Sequence, residues 1–285
     1  RMPMLNDVQS KLNETQVSEI VTPSSIEEIS QVILHAANSR QVVCPAGALH
    51  SMGGQQFAAD GISISSDALT RIESVDRDSK TLHVEAGVRW PHLIKYLSRV
   101  QEDYATRLTI IQKQTGADDL TLGGSVSSNI HGRVLGRKPI VADIEGVYIT
   151  NAQGERSYCS RTQNRELFGH VIGGYGLFGF IDSVDLKLED NLKLRREVSE
   201  RTLDEVIPAL EEYARSGSKF GDFQYMTDEQ SPGFLQKGIL SVYTPVDRDE
   251  VIPEDQKGLF LEEWKKLFVL AHTDKNRAYE EYVAH

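Results

Sequence analysis

A glycine-rich turn at residues 45–55 is the stretch of this sequence best suited to bind a ligand. It holds three glycines together with His50 and Ser51, and the apolar residues 42–44 before it predict a buried strand. Glycine lets the backbone turn tightly, and consecutive N–H groups in such a turn bind anions, most often phosphate. The stretch therefore predicts either a diphosphate-binding loop or a glycine-rich turn without a ligand.

Two further glycine-rich stretches, residues 116–132 and 173–179, favour the ligand-binding alternative. The small residues Gly123, Gly124 and Ser128 leave room for a flat group or for a close backbone contact. If a helix begins near Gly124, its free N–H groups would offer a second anion site.

The elements around these turns alternate between helix and strand. Ser24 is predicted to cap a helix, with Glu27 as its capping-box partner, because apolar residues then recur at helical spacing. The first glycine turn follows this helix and a second strand, unlike the dinucleotide motif in which glycines follow the first strand. Residues up to about Asn13 are polar and are expected to fray.

The sequence changes character at residues 189–191, where we predict a domain boundary. Residues 14–190 would form the first domain and residues 191–285 the second. The second contains a helix after Thr202, two strands and a C-terminal helix with Trp264 and Phe268 on an apolar face. No obvious core partner for that face follows Asn191, so the second domain is predicted to be incomplete.

Composition excludes several classes of protein. The chain has 285 residues, 39% hydrophobic and 26% charged, with a net charge of -11, which argues against a nucleic-acid binder or a binder of acidic membranes. Its two cysteines, Cys44 and Cys159, are far apart, so no metal site is predicted. With no apolar run of membrane-spanning length and no signal-peptide segment, we expect a cytoplasmic protein that acts on a small molecule.

The three glycine-rich stretches, in this order and spacing, resemble the FAD-binding PCMH-type domain of the vanillyl-alcohol-oxidase and para-cresol-methylhydroxylase family. The likeness spans roughly residues 21–190 and includes the pattern Gly-x-x-His-Ser at residues 47–51. Leu49 stands where the family more often has glycine. Residues 121–132 are most similar to decaprenylphosphoryl-β-D-ribose oxidases, whereas His50 is similar to sugar-alcohol and aldonolactone oxidases.

The resemblance implies an α+β fold. A PCMH-type FAD-binding domain of two α/β subdomains would be followed by an incomplete α+β substrate domain. It also implies which residues contact FAD. These are Pro45, Ala46, Gly47, Ala48, Leu49, His50, Ser51, Met52, Gly53, Gly54, Gln55, Gly116, Thr121, Leu122, Gly123, Gly124, Ser128, Asn129, Ile130, His131, Gly132 and Ile181.

The resemblance leaves the role of His50 open between three alternatives. The histidine could be bonded to the flavin 8α carbon, could be a hydrogen-bonding loop residue, or could be exposed. The reaction implied is hydride transfer from a CH–OH group of a sugar, polyol or lactone to FAD. The alternatives are a flavin-dependent C=C reductase and a flavin-binding protein or fragment without turnover. The catalytic residues would lie in the substrate domain and are not identified.

Overall fold

A computed structural model describes residues 2–256 and 258–284 of the chain and divides it into two units. The first unit consists of residues up to Gly132 together with Lys138–Asn191. The second consists of Arg133–Arg137 together with the residues from Leu192 onward. The substrate-binding role expected for the second unit stays a prediction.

The first unit begins with a short hairpin and a small parallel sheet. Strands β1 (Met4–Leu5) and β2 (Thr15–Gln16) pair in antiparallel fashion. Strand β3 (Glu19–Val21), helix α1 (Ile26–Asn38), strand β4 (Val43–Ala46) and strand β5 (Ile62–Ser65) follow. The last three strands form a parallel sheet in the order β3-β5-β4. The buried face of α1 packs on this sheet through Ile29, Ile33, Ala36, Ile62 and Ile64.

Helix α1 begins one residue later than predicted. Ser25, not Ser24, is the N-cap, and its side chain accepts a hydrogen bond from the Glu28 N–H at 3.2 Å. The Glu28 carboxylate in turn accepts the N–H and the hydroxyl of Ser24. Two adjacent serines followed by two adjacent glutamates allow either register, and the one that buries Ile29 and Ile33 is formed.

A larger antiparallel sheet forms the rest of the first unit. Its strands and the helices that connect them are, in chain order, β6 (Thr81–Glu85), α2 (Trp90–Val100), β7 (Leu108–Ile110), α3 (Leu122–Ser127), β8 (Ile144–Thr150), β9 (Arg156–Ser160), α4 (Arg165–Val171) and β10 (Phe180–Asp190). The strand order is β6-β10-β8-β9, and β7 pairs with the end of β10. Its strands and helices share a continuous apolar core that includes Leu82, Val84, Trp90, Leu93, Leu122, Val126, Val147, Val184 and Leu186.

The second unit has a smaller core. Strand β11 (Leu194–Thr202), helix α5 (Leu203–Arg215), strand β12 (Phe220–Tyr225) and strand β13 (Lys237–Pro245) form an antiparallel sheet in the order β11-β13-β12 with one helix. Its buried core residues are Val206, Leu240 and Val242. Helices α6 (Leu261–Thr273) and α7 (Lys275–Ala284) follow, and no residue of α6 is buried within the described chain. The side chain of Phe268 is accordingly exposed.

Candidate cofactor-binding site

The three glycine-rich turns meet around one cavity of the first unit. The cavity has a volume of about 420 Å³, which lies within the range of small-molecule sites, roughly 300–1,000 Å³. The third turn contributes Tyr175, Gly176 and Gly179. The sequence-predicted residues on the cavity lining are Pro45, Ala46, Gly47, Ala48, Leu49, His50, Ser51, Met52, Gln55, Gly116, Thr121, Gly123, Gly124, Ser128, Ile130 and Ile181.

The first turn follows strand β4 and lies directly against the second turn. A Cβ atom on Gly47 would come within 2.3 Å of the Thr121 Oγ1 atom, so a larger residue at position 47 would separate the two turns. Leu49 adopts a positive φ of 60°, which a glycine would adopt at lower cost. The family's more frequent glycine at this position therefore has a physical reason, and this chain tolerates leucine there.

The second turn ends in helix α3, which the core of the unit holds in place. Thr121 is its N-cap, and the Thr121 Oγ1 atom accepts the Gly124 N–H at 3.2 Å. The Gly123 N–H donates to the Ala86 carbonyl at 2.8 Å, and a Cβ atom on Gly123 would lie 2.7 Å from the Ala86 Cβ. The indole of Trp90 donates to the Ser125 hydroxyl at 2.9 Å. Helix α3 thus packs too closely on the end of β6 to accept a side chain at position 123.

The third turn is hydrogen-bonded to the other end of α3. The Gly173 N–H donates to the Val126 carbonyl at 3.0 Å, and the Tyr175 N–H donates to the Ser127 carbonyl at 3.1 Å. Gly176 and Gly179 have φ values of 78° and 137°, which side chains rarely adopt. These bonds bring the third turn to the same cavity as α3.

The lining of the cavity combines apolar residues with uncharged polar groups, a composition that suits a nucleotide cofactor. Among the described residues that line the cavity, none is an aspartate, glutamate, lysine or arginine. A diphosphate here would have to be bound by backbone N–H groups and hydroxyls, as glycine-rich nests do. In addition, the Gln56 Oε1 and Ser66 Oγ atoms are buried at the cavity and have no hydrogen-bond partner. A buried polar atom without a partner is costly, so both atoms favour a polar ligand.

Six of the predicted residues do not line the cavity. Leu122 is part of the core, and the Asn129 side chain accepts the Val141 N–H at 3.2 Å. The Gly132 N–H donates to the Gln112 side chain at 3.0 Å. The ring of His131 is exposed, with its Nδ1 atom 3.1 Å from the Gly132 carbonyl. The complete set is Gly53, Gly54, Leu122, Asn129, His131 and Gly132, whose assignment to the cofactor stays a prediction.

His50 lies on the cavity lining and has a hydrogen-bond partner outside the three turns. Its Nδ1 atom is 2.7 Å from the side-chain amide of Gln9. The structure therefore shows a hydrogen-bonded loop residue, and a covalent bond from His50 to the flavin stays a prediction. Gln9 itself lines the cavity, although it was not among the predicted site residues.

Gln9 belongs to an ordered N-terminal segment, so the prediction that residues up to about Asn13 fray is wrong. We call residues 6–13 the N-terminal strap. Its Asp7 side chain is buried and accepts hydrogen bonds from the Ser10 and Lys11 N–H groups and from the Asn13 amide. Burial raises the pKa of Asp7, but these hydrogen bonds outweigh burial and hold the pKa well below its usual range.

The strap contacts the tip of the first turn at three points. The Val8 N–H donates to the Leu49 carbonyl at 2.9 Å, and the Asn13 amide donates to the Met52 carbonyl at 2.7 Å. The third point is the Gln9–His50 bond. The spacing of Asn6, Asp7 and Ser10 was the available sequence signal, since such residues commonly bond to nearby backbone N–H groups.

The perturbed titratable groups of the larger sheet lie away from the cavity. The His83 Nδ1 and Asp185 Oδ1 atoms are 2.7 Å apart, and this hydrogen bond raises the pKa of His83. Burial raises the pKa of the Cys159 thiol to about 11. Within residues 2–256 and 258–284, no group of three or more histidine, cysteine, aspartate or glutamate side chains could hold a metal ion. In the same residues, no helix has the length and apolarity needed to cross a membrane.

Comparison with known proteins identifies the family to which the chain is related. A family model described as FAD binding domain matches residues 17–160. Cytokinin dehydrogenase 2 of Arabidopsis thaliana is 30% identical over 60% of this chain and 33% of its own length. L-gulonolactone oxidase of Bos taurus is 25% identical over 70% of this chain and 43% of its own length. Alditol oxidase of a Streptomyces species is 26% identical over 76% of this chain and 49% of its own length.

A solved structure supports the fold. Alkyldihydroxyacetonephosphate synthase matches with a TM-score of 0.66 and 15% identity, over 79% of this chain and 47% of that one. The matches span about a third to a half of the length of the curated relatives named here. The family model covers half of the chain and includes the first two glycine turns. The chain therefore belongs to the family of PCMH-type FAD-binding flavoproteins, and its cofactor is FAD.

Proposed function

We propose that the cavity of the first unit binds FAD and that the chain is part of an FAD-dependent oxidoreductase. The observation that carries the proposal is that three turns far apart in sequence line one cavity, and that the FAD-binding family model covers the first two of them. An uncharged glycine-rich lining suits a diphosphate bound by the backbone, and the unpaired Gln56 and Ser66 atoms suit a polar ligand.

The contacts suggest a role for each wall of the site. The N–H groups of residues 47–52, which line the cavity, would bind the diphosphate. Thr121 would fix the spacing between helix α3 and the first turn, because its side chain lies directly against Gly47. Gln9 would hold the His50 imidazole in one orientation through its 2.7 Å hydrogen bond. Bound FAD would supply an isoalloxazine ring that accepts a hydride from a carbon bearing a hydroxyl group.

Few side chains of the lining can exchange a proton with a substrate. His50 and Tyr175 are the titratable side chains among the described lining residues. The base that removes the hydroxyl proton would therefore be one of these two groups or would come from outside the lining.

The cytoplasmic location expected from the sequence stays a prediction.

The proposed donor is a CH–OH group of a sugar, polyol or lactone. The names of two relatives, L-gulonolactone oxidase and alditol oxidase, support this class of substrate. A second candidate is a cytokinin-type substrate, since a cytokinin dehydrogenase is 30% identical to the matched part of this chain. The lining residues described above do not discriminate between the two classes.

The test has a binding step and a reduction step. The purified protein is incubated with FAD, unbound flavin is removed, and the visible absorption of the retained flavin is recorded. L-gulonolactone, an alditol and a cytokinin are then added separately under anaerobic conditions. We expect retained flavin that is bleached by the lactone or the alditol.

Each other outcome has a defined meaning. Bleaching by the cytokinin alone would overturn the proposed donor in favour of the second candidate. Retained flavin that none of the three donors reduces would overturn both proposed donor classes and leave the binding proposal standing. A protein that retains no FAD would overturn the binding proposal itself.

A further inference from the structure

Two buried polar atoms at the cavity need a ligand of a particular kind. Gln56 is 8% exposed and Ser66 is 5% exposed, and both line the cavity. The Gln56 Oε1 and Ser66 Oγ atoms have no hydrogen-bond partner in the described structure. Neither residue was among the sequence-predicted site residues, because a glutamine after the turn and a serine after a strand carry no motif.

The orientation of the Gln56 amide is set by the first turn. Its Nε2 atom donates to the Ser51 carbonyl at 2.8 Å. Turning the amide over would place two acceptor oxygens against each other, so the Oε1 atom is the one left unpaired. Through its free Oε1 atom, Gln56 can therefore only accept a hydrogen bond. Its partner must carry an O–H or N–H group.

Ser66 has its backbone groups occupied and its hydroxyl unpaired. Its N–H donates to the Ala46 carbonyl at 3.0 Å, and its carbonyl accepts the Leu69 N–H at 2.9 Å. The hydroxyl can either donate or accept. No cationic side chain lines the cavity within the described residues, so no side-chain charge directs the Ser66 hydroxyl towards an anion.

Both residues are hydrogen-bonded to the segment proposed to bind the diphosphate. Gln56 bonds to Ser51 within the first turn, and Ser66 bonds to Ala46 at its start. The ionised diphosphate of FAD has acceptors and no donors. The groups covalently next to it are the ribityl chain and the ribose, and both carry hydroxyls, which can donate to an amide oxygen and pair with a serine.

We propose that Gln56 and Ser66 form a subsite that recognises sugar hydroxyls flanking the diphosphate, with Gln56 selecting a donor. This proposal rests on FAD binding to the same cavity, as proposed above. It makes Gln56 a specificity-determining residue that rejects an analogue lacking the hydroxyl, because the amide oxygen would then stay buried and unpaired.

The test compares FAD with two analogues, one lacking a ribityl hydroxyl and one lacking the ribose 2′-hydroxyl. Dissociation constants are measured by quenching of flavin fluorescence for the unaltered protein and for Gln56→Met, which keeps the length of the side chain without its amide. We expect the unaltered protein to bind one analogue roughly tenfold more weakly than FAD, as one hydrogen bond implies. The analogue affected identifies the ribityl chain or the ribose. In Gln56→Met the preference for FAD over that analogue should disappear.

Ser66→Ala should weaken FAD binding roughly three- to tenfold. Ser63→Ala is its matched control, because Ser63 is a buried serine on the preceding strand that does not line the cavity. Gln56→Met also removes the bond to Ser51, so a uniform loss of affinity for FAD and both analogues would show a structural role and overturn the proposal. Unchanged affinities would show that water satisfies both atoms and would overturn it too. Failure of the unaltered protein to bind FAD would refute the proposed cofactor site instead.

Discussion

The two sides of the cavity are held in place by different means. Helix α3 forms one side and lies in the core, with Leu122 and Val126 buried. The tip of the first turn forms the other side, where Met52 is 64% exposed and the N-terminal strap supplies three hydrogen bonds. The strap also precedes the residues that the family model matches, which begin at position 17. We therefore expect one side to depend on the fold and the other on a short segment whose detachment leaves the fold intact.

The largest effect should follow from a side chain on the core side. Gly123→Val would place its Cβ atom 2.7 Å from the Ala86 Cβ and 3.2 Å from the Ala86 carbonyl oxygen. Overpacking of this kind destabilises a core by about 1–3 kcal/mol. We expect a lower free energy of unfolding in urea together with loss of FAD binding.

Gly169→Ala is the matched control for that substitution. Gly169 lies in helix α4, and no atom lies within 4 Å of the position that its Cβ would occupy. Alanine should raise the free energy of unfolding by about 0.5–1 kcal/mol there. A Gly123→Val protein as stable as this control would contradict the assignment of α3 to the core side.

The strap side should respond to Asp7→Ala with a local effect. Without the Asp7 carboxylate, the N–H groups of Ser10 and Lys11 lose their acceptor and the strap should detach from the first turn. We expect FAD to bind roughly three- to tenfold more weakly, in line with the loss of a few exposed hydrogen bonds. Trypsin should also cut faster after Lys11, while the urea unfolding midpoint stays close to that of the unaltered protein.

Leu12→Ala is the control within the strap, because Leu12 is largely exposed. It should leave both FAD affinity and trypsin cleavage unchanged. If Asp7→Ala instead lowered the unfolding midpoint as much as Gly123→Val, the strap would be part of the fold and the distinction between the two sides would fail.

The smallest expected effect is a change of stability with pH that arises from His83 in the larger sheet of the first unit. The hydrogen bond to Asp185 raises the pKa of His83 on β6, which means that protonated His83 stabilises the folded protein. This stabilisation is fully present below the pKa of histidine in the unfolded chain, about 6.5. It should be lost as pH rises through the higher folded pKa. We expect less than about 1 kcal/mol, since the pair is partly exposed.

The comparison is the free energy of unfolding between pH 6 and pH 9 for the unaltered protein and for His83→Gln. The difference between the two proteins should shrink as pH rises. A difference that stays constant over this range would show that His83 contributes through packing and not through its charge.

The glycine turns could be predicted from the sequence because clusters of glycine are typical of tight turns and of close contacts between backbone segments. Glycines at positions 47 and 123 are required by close contacts to Thr121 and Ala86, and such requirements leave a visible pattern. Gln56 and Ser66 could not be found in this way, since their burial without a partner depends on how distant segments pack. For α6, in contrast, the sequence predicted an apolar face without an obvious core partner after Asn191, and no residue of this helix is buried within the described chain.

The strap was missed for a different reason. Its polar composition is typical of a frayed terminus, but Asp7 and Asn13 use polar side chains to fold the segment on itself. Hydrogen bonds between side chain and backbone produce no hydrophobic period, so periodicity does not reveal them.

Binding of a single FAD by the three turns of the first unit can be followed by hydrogen–deuterium exchange with and without FAD. Strand β9 (Arg156–Ser160), which does not line the cavity, is the internal reference. We predict that backbone amides of residues 45–55, 121–128 and 174–181 become protected together at the same FAD concentration, while β9 is unchanged. Protection of only one of these turns, or of none, would show that the three turns do not share one bound FAD.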